Sequence, residues 1–115
     1  MATKTCLFCK IINKEIPSKA EYEDEEILAF EDVNPQAPTH ILIVPKKHYE
    51  QVADLSEADS ELTGKLVLMA RKLAAKKKLE KGYRIVINNG PQAGQSVFHL
   101  HLHLMGGRRF TWPPG

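Results

Sequence analysis

The chain has 115 residues, which is room for one domain of ordinary size and too little for two. Hydrophobic residues make up 43% of it and charged residues 26%, a balance that fills a core and excludes a disordered chain. The net charge of +2 excludes the broad basic surface of a nucleic-acid-binding protein, and the longest apolar run, residues 66–70, is far shorter than the about 20 residues of a membrane-spanning helix.

These exclusions predict a single domain over residues 1–115, with neither nucleic acid nor a membrane as its partner. Residues 1–5 lead directly into a patterned segment and lack the apolar stretch of a secretory signal, which favours the cytoplasm, with the nucleus as a second compartment. Thiols stay reduced in the cytoplasm. The only two cysteines, Cys6 and Cys9, form a C-x-x-C that therefore predicts metal ligands or redox thiols rather than a structural disulfide.

The N-terminal half predicts a short helix and three strands. Apolar spacing favours a helix over residues 6–14 that ends before Pro17. Strands are predicted at residues 19–23, 27–32 and 40–45. The first two flank an acidic hairpin turn at residues 24–26, and the two prolines of residues 34–38 predict a loop before the third strand.

The C-terminal half predicts one long helix followed by two strands. Ser56 and Asp59 are a plausible N-terminal cap, Gly82 is a stop signal, and the apolar stripe between them consists of Leu62, Leu66, Met69 and Leu73. Strands are predicted at residues 83–88 and 96–105, with a glycine-containing loop at 89–95. Strands before and after one long helix, without regular βαβ alternation, predict an α+β domain with an antiparallel sheet of about five strands, one long helix and one short helix.

Three of the five histidines, His99, His101 and His103, alternate with leucine near the C-terminus. In a strand this pattern sends the leucines into the core and lines the other face with three imidazoles. Such a row fits a His-x-His metal site or a catalytic face with a nucleophilic imidazole. The loop at residues 88–96 places glycine, amide and hydroxyl groups before the histidines, which suits an anionic oxygen and favours phosphate chemistry.

The run at residues 94–105, with its His-φ-His-φ-His-φ-φ core, resembles the histidine triad nucleotide-binding family. The resemblance covers nearly the whole chain, through residues 8–12, 15–17, 29–32, 35–40 and 45–48. The C-terminal residues 106–109 and 112–115 resemble the Hint branch rather than the fragile-histidine-triad dinucleotide hydrolases. The resemblance implies a HIT-like fold and a homodimer whose two sheets join, with a purine nucleoside monophosphate bound in each subunit.

The resemblance also implies hydrolysis of nucleoside 5′-phosphoramidates and aminoacyl-adenylates through a covalent nucleotidyl intermediate on His101. His103 then holds a phosphate oxygen, Ser96 lies near the leaving group, and His40 orients His101 or relays protons to it. Asp32 matches the residue that accepts both ribose hydroxyls, which suits a carboxylate because it only accepts hydrogen bonds. The resemblance implies no organic cofactor.

The rest of the implied nucleotide site is apolar residues and loop residues. The positions that enclose the purine match Phe8, Ile11, Phe30 and Val33, which by pattern alone would be core residues. The positions near the sugar and phosphate match Asn88, Gly94 and Gln95. The segment at residues 89–93 departs from that of some members, which leaves the leaving-group preference open.

The C-x-x-C occurs in many microbial and plant members of this branch, and two histidines complete a ligand set with it. Cys6, Cys9, His48 and His99 supply two thiolates and two imidazoles, the ligands of a closed structural zinc site. A redox motif is the alternative, but the βαβ context expected for it is missing.

Two other functions are consistent with the same residues. Dinucleoside polyphosphate hydrolysis or nucleotidyl transfer would use the same chemistry with another leaving group, whereas a zinc-binding, nucleotide-dependent regulatory module would bind without turnover. A nucleophile flanked by Ser96 and His103 favours an enzyme.

The only tryptophan, Trp112, lies in the tail, and its large apolar surface predicts a docked tail. In the Hint branch this tail reaches toward the partner's active site.

Overall fold

The computed structural model describes residues 5–115 and places a helix on each face of a five-stranded antiparallel sheet. The strands are Ala20–Glu23 (β1), Ile27–Glu31 (β2), Thr39–Pro45 (β3), Tyr83–Val86 (β4) and Leu102–Gly106 (β5), and the helices are Leu7–Ile12 (α1) and Ser60–Lys76 (α2). The sheet order is β1-β2-β3-β5-β4, and every neighbouring pair is antiparallel. The predicted α+β class, strand number and pair of unequal helices are confirmed.

Alternate residues of β2 and β3 enter two different cores. Ile27, Ala29, Ile41 and Ile43 pack with α2 on one face, together with Leu66, Met69 and Leu73 of that helix. Leu28, Phe30, Leu42 and Val44 pack with α1 on the other, together with Phe8, Cys9 and Ile11. Because both faces are covered, these two strands read as continuous apolar runs rather than as an alternating pattern.

The short helix α1 is held by its neighbours rather than by its length. It spans six residues, fewer than the predicted 6–14, because Cys6 is its N-cap and Lys14 already has a left-handed φ of +64°. The Cys9 backbone N–H donates to the Cys6 Sγ at 3.3 Å and closes the first turn. A helix this short is marginal in water, so α1 depends on its packing against the sheet.

The long helix α2 begins where the sequence predicts. The Ser56 backbone N–H donates to the Asp59 carboxylate at 2.9 Å in a capping box that opens a 3-10 turn, and the α-helix follows directly from that turn. Within residues 5–115 no helix is long and apolar enough to cross a membrane.

The last strand is shorter than predicted. It begins at Leu102 instead of residue 96, because the Leu100 N–H donates to the Tyr49 carbonyl at 2.7 Å and draws the preceding segment away from β3. The leucines at 100, 102 and 104 are buried on the α2 side, as the alternation predicts. The histidine face is not an open surface, since His99 and His101 are only 0% and 7% exposed.

Candidate active site and metal centre

Three imidazoles and one carboxylate meet where β3 pairs with β5. The His40 Nε2 lies 2.9 Å from the His103 Nδ1, and the Asp32 carboxylate is 3.4 Å from the same His40 nitrogen. The ring centroids of His101 and His103 are 4.9 Å apart. The register places His103 opposite Leu42, two residues from His40, which is why these side chains share one face. The four predicted residues therefore form one cluster.

Backbone groups determine which nitrogen of each ring carries the proton. A carbonyl only accepts, so the His101 Nδ1, 2.7 Å from the His99 carbonyl, carries the hydrogen and leaves Nε2 with a free lone pair. The Gln36 N–H donates to the His40 Nδ1 at 3.0 Å, so the neutral His40 carries its proton on Nε2 and donates it to the His103 Nδ1. His103 is then left with an N–H at Nε2, a donor for an anionic oxygen.

Burial keeps these imidazoles uncharged at neutral pH. Desolvation lowers the pKa of His40 and of His101, opposed in both by the Asp32 carboxylate and in His101 also by its backbone hydrogen bond. Desolvation, with the neighbouring His101 and His40, lowers the pKa of His103 to about 4. A neutral imidazole is nucleophilic without further activation, so the cluster suits attack on an electrophile.

The four residues predicted to enclose a purine fall into two environments. Phe8, Ile11 and Phe30 are buried in the core beneath α1, and the Phe8 and Phe30 rings meet edge to face with centroids 5.5 Å apart. The Phe8 ring also lies 5.1 Å from the His101 ring. Val33 is 100% exposed just beyond β2. The structure thus brings Phe8, which packs on Phe30, to His101 and leaves Val33 in solvent.

The loop before the histidines is braced by one buried amide. The Gln95 Oε1 accepts from the Gly90 N–H at 2.7 Å, and its Nε2 donates to two backbone carbonyls. Only the backbone of Gln95 is left for the predicted nucleotide contact. Gly94 has a left-handed φ of +96°, Ser96 is exposed and Asn88 is half-buried.

A second cluster, Cys6, Cys9, His48 and His99, joins α1 to the segment before β5 and forms a candidate metal centre. The Sγ atoms of Cys6 and Cys9 lie 3.4 and 3.6 Å from the His99 Nδ1. The His48 Nδ1 lies 3.3 Å from the Cys9 Sγ and 3.1 Å from the His99 Nδ1. All four predicted ligands are therefore brought together.

These spacings fit a tetrahedral zinc ion. With Zn–S near 2.3 Å and Zn–N near 2.05 Å, a tetrahedron has S···N edges of about 3.6 Å and an N···N edge of about 3.3 Å. The His99 Nε2 donates to the Pro45 carbonyl at 2.8 Å, which leaves its Nδ1 lone pair facing the cluster. Burial raises the pKa of the Cys6 thiol and lowers that of His99 to about 4. A divalent metal would offset the cost of the buried thiolates.

The contacts that the sequence did not predict are backbone contacts. The Gln36 N–H, the His99 carbonyl and the Pro45 carbonyl orient His40, His101 and His99, and a backbone group carries no residue-type signal. For the contact of the Gln36 N–H with His40, the sequence does offer a signal: the pair of prolines around Gln36 predicts a rigid loop beside His40.

Comparisons with known proteins agree with this architecture. The family model described as HIT domain matches residues 13–110. An uncharacterized HIT-like protein of Synechocystis sp. is 52% identical over 109 residues, 95% of this chain and 96% of its own. The 14 kDa zinc-binding protein of Zea mays is 54% identical over 111 residues, 95% of this chain and 87% of its own. The crystal structure of a HIT family hydrolase from Legionella pneumophila Philadelphia 1 superposes with a TM-score of 0.95 at 54% identity, covering 96% of this chain and 100% of that one.

Proposed function

The chain belongs to the HIT domain family, and on that premise we propose that it hydrolyses purine nucleoside 5′-phosphoramidates and aminoacyl-adenylates through a nucleotidyl intermediate on His101. The observation that carries the proposal is the backbone hydrogen bond of this residue, which determines its tautomer. Its Nδ1 donates to the His99 carbonyl at 2.7 Å, so its Nε2 lone pair is free beside the His103 ring. A protein that only bound nucleotide would not need a nucleophilic imidazole at this position.

The reaction proceeds in two displacements. The His101 Nε2 attacks phosphorus, and the bond to the leaving group breaks. In a phosphoramidate this is the P–N bond, and the departing amine takes a proton from the exposed Ser96 hydroxyl or from water; in an aminoacyl-adenylate it is a P–O bond, and the carboxylate departs without a proton. The His103 Nε2–H donates to a non-bridging phosphate oxygen and stabilises the charge that develops there. Water then attacks phosphorus in the nucleotidyl-imidazole, and the P–N bond to His101 breaks. A proton of this water goes back to Ser96 or to solvent, and the nucleoside monophosphate and the free ring are released.

His40 keeps His103 in the tautomer that this reaction needs. Its Nε2–H donates to the His103 Nδ1, and the Asp32 carboxylate at 3.4 Å favours a proton on the same nitrogen. Asp32 also accepts the ribose hydroxyls in the proposed complex.

The nucleotide pocket completes the proposal. We assign the purine to Phe8, Ile11, Phe30 and Val33, and the sugar and phosphate to Asn88, Gly94, Gln95 and Ser96. The fully exposed Val33 is consistent with a site that is covered only when ligand binds.

The second cluster is proposed to hold a structural zinc ion, on Cys6, Cys9, His48 and His99. The ion would supply a cross-link between α1 and the segment that carries the nucleophile. His48 and His99 thus position this segment, and the reaction is left to His101 and its neighbours.

We place the enzyme in a homodimer. Strand β4 is one outer strand of the sheet, and Tyr83 and Ile87 on and beside it are each 40% exposed. Trp112 is 83% exposed, so its indole is not docked on its own chain as the sequence predicted. An unpaired strand edge and an exposed tryptophan are the features that a second copy would cover.

The experiment that tests the proposal compares wild type with His101→Ala and His101→Asn on an adenosine phosphoramidate. We expect both variants to lose turnover by about three or more orders of magnitude while adenosine monophosphate still binds, because the nucleophile is removed and the pocket stays. Near wild-type turnover in either variant would refute the role of His101. Competition between the phosphoramidate and a dinucleoside polyphosphate shows which of the two substrates the enzyme prefers to hydrolyse. Binding without turnover by wild type would favour the regulatory module.

A further inference from the structure

The backbone of Gln36 links the C-terminal segment, residues 107–110, to the cluster of His40, His101 and His103. Its N–H donates to the His40 Nδ1 at 3.0 Å, and its carbonyl accepts from the Arg108 Nε at 2.9 Å. The N–H belongs to the peptide unit before the Gln36 Cα and the carbonyl to the unit after it, so His40 and Arg108 hold the two peptide units that flank one residue. Arg108 lies two residues beyond the end of β5, and its guanidinium donates to the backbone carbonyls of Gln36 and Arg109.

Arg108 is held in place by its own surroundings. Its guanidinium lies over the Phe110 ring at 4.2 Å, and its Nη1 donates to the Arg109 carbonyl at 3.0 Å. Gly107, with a φ of +91°, brings the chain so close to the loop at residues 34–38 that a Cβ there would lie 2.9 Å from the Pro38 Cβ. The C-terminal segment is therefore seated on the loop that contains Gln36.

The direction of the hydrogen bond between His40 and His103 depends on the Gln36 N–H. While that N–H occupies the His40 Nδ1, the His40 proton stays on Nε2 and points to the His103 Nδ1. If it is lost, His40 can carry its proton on Nδ1, and the bond to His103 reverses. His103 would then present a lone pair to phosphate where a donor is needed.

We infer that Arg108 is a positioning residue that holds the backbone of Gln36 in place and so keeps His40 and His103 in the phosphate-binding tautomer. The effect on turnover rests on the proposed function, whereas the effect on the imidazole protons does not. The Asp32 carboxylate, 3.4 Å from the His40 Nε2, favours the same tautomer, so loss of Arg108 alone shifts the balance only in part.

The first test is a matched pair of arginine variants. Arg108→Ala removes the donor to Gln36, whereas Arg109→Ala removes the same charge one residue further along the exposed segment. Nitrogen-15 spectra of the imidazoles, recorded without substrate, report which nitrogen is protonated. In Arg108→Ala we expect the His40 Nδ1 to become partly protonated and kcat for the phosphoramidate to fall about 10-fold with little change in KM. In Arg109→Ala both readouts should match wild type.

The second test removes the N–H directly. A chemically ligated chain with an ester in place of the peptide bond before Gln36 lacks this donor, and the all-amide chain made by the same route is its control. We expect the ester chain to show the reversed His40 tautomer and a loss in kcat of about 100-fold, the size of a missing acid–base partner.

Several outcomes decide the inference. Unchanged imidazole spectra in Arg108→Ala would overturn it, whatever turnover does. Unchanged spectra in the ester chain would also overturn it, because the Gln36 N–H would then not set the tautomer. A wild type without phosphoramidate turnover, combined with shifted nitrogens in Arg108→Ala, would refute the proposed function and support the positioning role.

Discussion

Asp32 serves two neighbours with one carboxylate. Its Oδ1 accepts from the Asn34 N–H at 2.8 Å, and its Oδ2 faces His40 at 3.4 Å. These contacts fix the carboxylate at the end of β2 without using all of its acceptor sites, which leaves lone pairs for two hydroxyl donors. The proposed ribose contact can therefore be tested apart from the histidine contact.

For Asp32→Asn we expect adenosine monophosphate to bind about 10- to 100-fold more weakly, because hydrogen bonds to a charged acceptor are lost. The 2′,3′-dideoxy nucleotide lacks both hydroxyls, so its affinity should change much less. Titration calorimetry of both ligands against both proteins measures the ratio, in which any effect through His40 cancels. An equal loss for the two nucleotides would contradict the ribose contact.

His103 makes the stability of the fold sensitive to acid. Its pKa is lowered to about 4, chiefly by burial, while an unfolded histidine titrates near pH 6.5. Between these values the unfolded chain takes up a proton that the folded chain does not, so stability falls as the pH drops from about 6.5 to 4. At pH 7, above both pKa values, His103 contributes little to the change of the free energy of unfolding with pH.

Replacing His103 with Asn should remove this part of the acid sensitivity. Urea unfolding at pH 7 and pH 5 should show that wild type loses about 1–2 kcal/mol more than His103→Asn over this interval. Both proteins keep Cys6, Cys9, His48 and His99, so loss of a metal in acid affects them alike. If the two proteins lose stability equally, His103 is not buried as a neutral ring.

At the scale of the element, the alternation of residues in the sequence predicted which face a side chain takes, but it did not predict where a strand begins. The leucines of the histidine segment enter the α2 side as expected, but hydrogen bonding between Leu100 and Tyr49 delays β5 until Leu102. Periodicity reports which face a side chain takes, whereas the start of a strand depends on a partner 51 residues away in the chain.

The candidate site was predictable to the extent that it is made of side chains. His40, His101, His103 and Asp32 converge as the resemblance implies, and the C-x-x-C meets its two histidines. Gln36 and Arg108 could not be found in this way, because their contacts depend on the three-dimensional position of the two peptide units that flank Gln36.

Helix α1 gives the prediction for the metal. Six residues of helix gain little stability by themselves, so a zinc ion on Cys6 and Cys9 would hold α1, and with it Phe8, against the sheet. Metal analysis should find about one zinc per chain. The double variant Cys6→Ser, Cys9→Ser should be metal-free, with a Tm lower by about 10 °C.

Leu7→Ser is the control for that experiment, because Leu7 lies on the same helix and is 44% exposed. It should keep its zinc and most of the wild-type Tm. A purified wild type without zinc, whose Tm does not change on chelation, would count decisively against the metal centre.

At the scale of the molecule, the two faces of the sheet differ in what they carry. The α2 face is a continuous apolar core, whereas the α1 face carries both histidine clusters, joined by the Phe8 ring, whose centroid is 6.0 Å from His99 and 5.1 Å from His101. The C-terminal segment then crosses from the end of β5 to the loop beside His40. Beyond that segment, the Trp112 side chain is left exposed on this chain.

The tail divides at Thr111 into a seated part and an exposed part. Phe110 packs on the guanidinium groups of Arg84 and Arg108, and the Thr111 carbonyl accepts from the Arg84 Nη2 at 2.9 Å. Trp112, by contrast, is 83% exposed. A chain that ends after Thr111 therefore removes the tryptophan and keeps the contacts that hold Arg108.

We expect this truncation to leave the fold and the affinity for adenosine monophosphate intact, because none of the residues assigned to the nucleotide lies in the tail. If Trp112 covers the partner's leaving-group side in the proposed dimer, the truncated chain should rank bulky and small amine leaving groups differently from wild type, by about 10-fold in relative kcat/KM. Trp112→Ala should reproduce the change, since it removes only the indole. An unaltered ranking in both proteins, measured over a series of phosphoramidates, would show that the tail has no part in specificity.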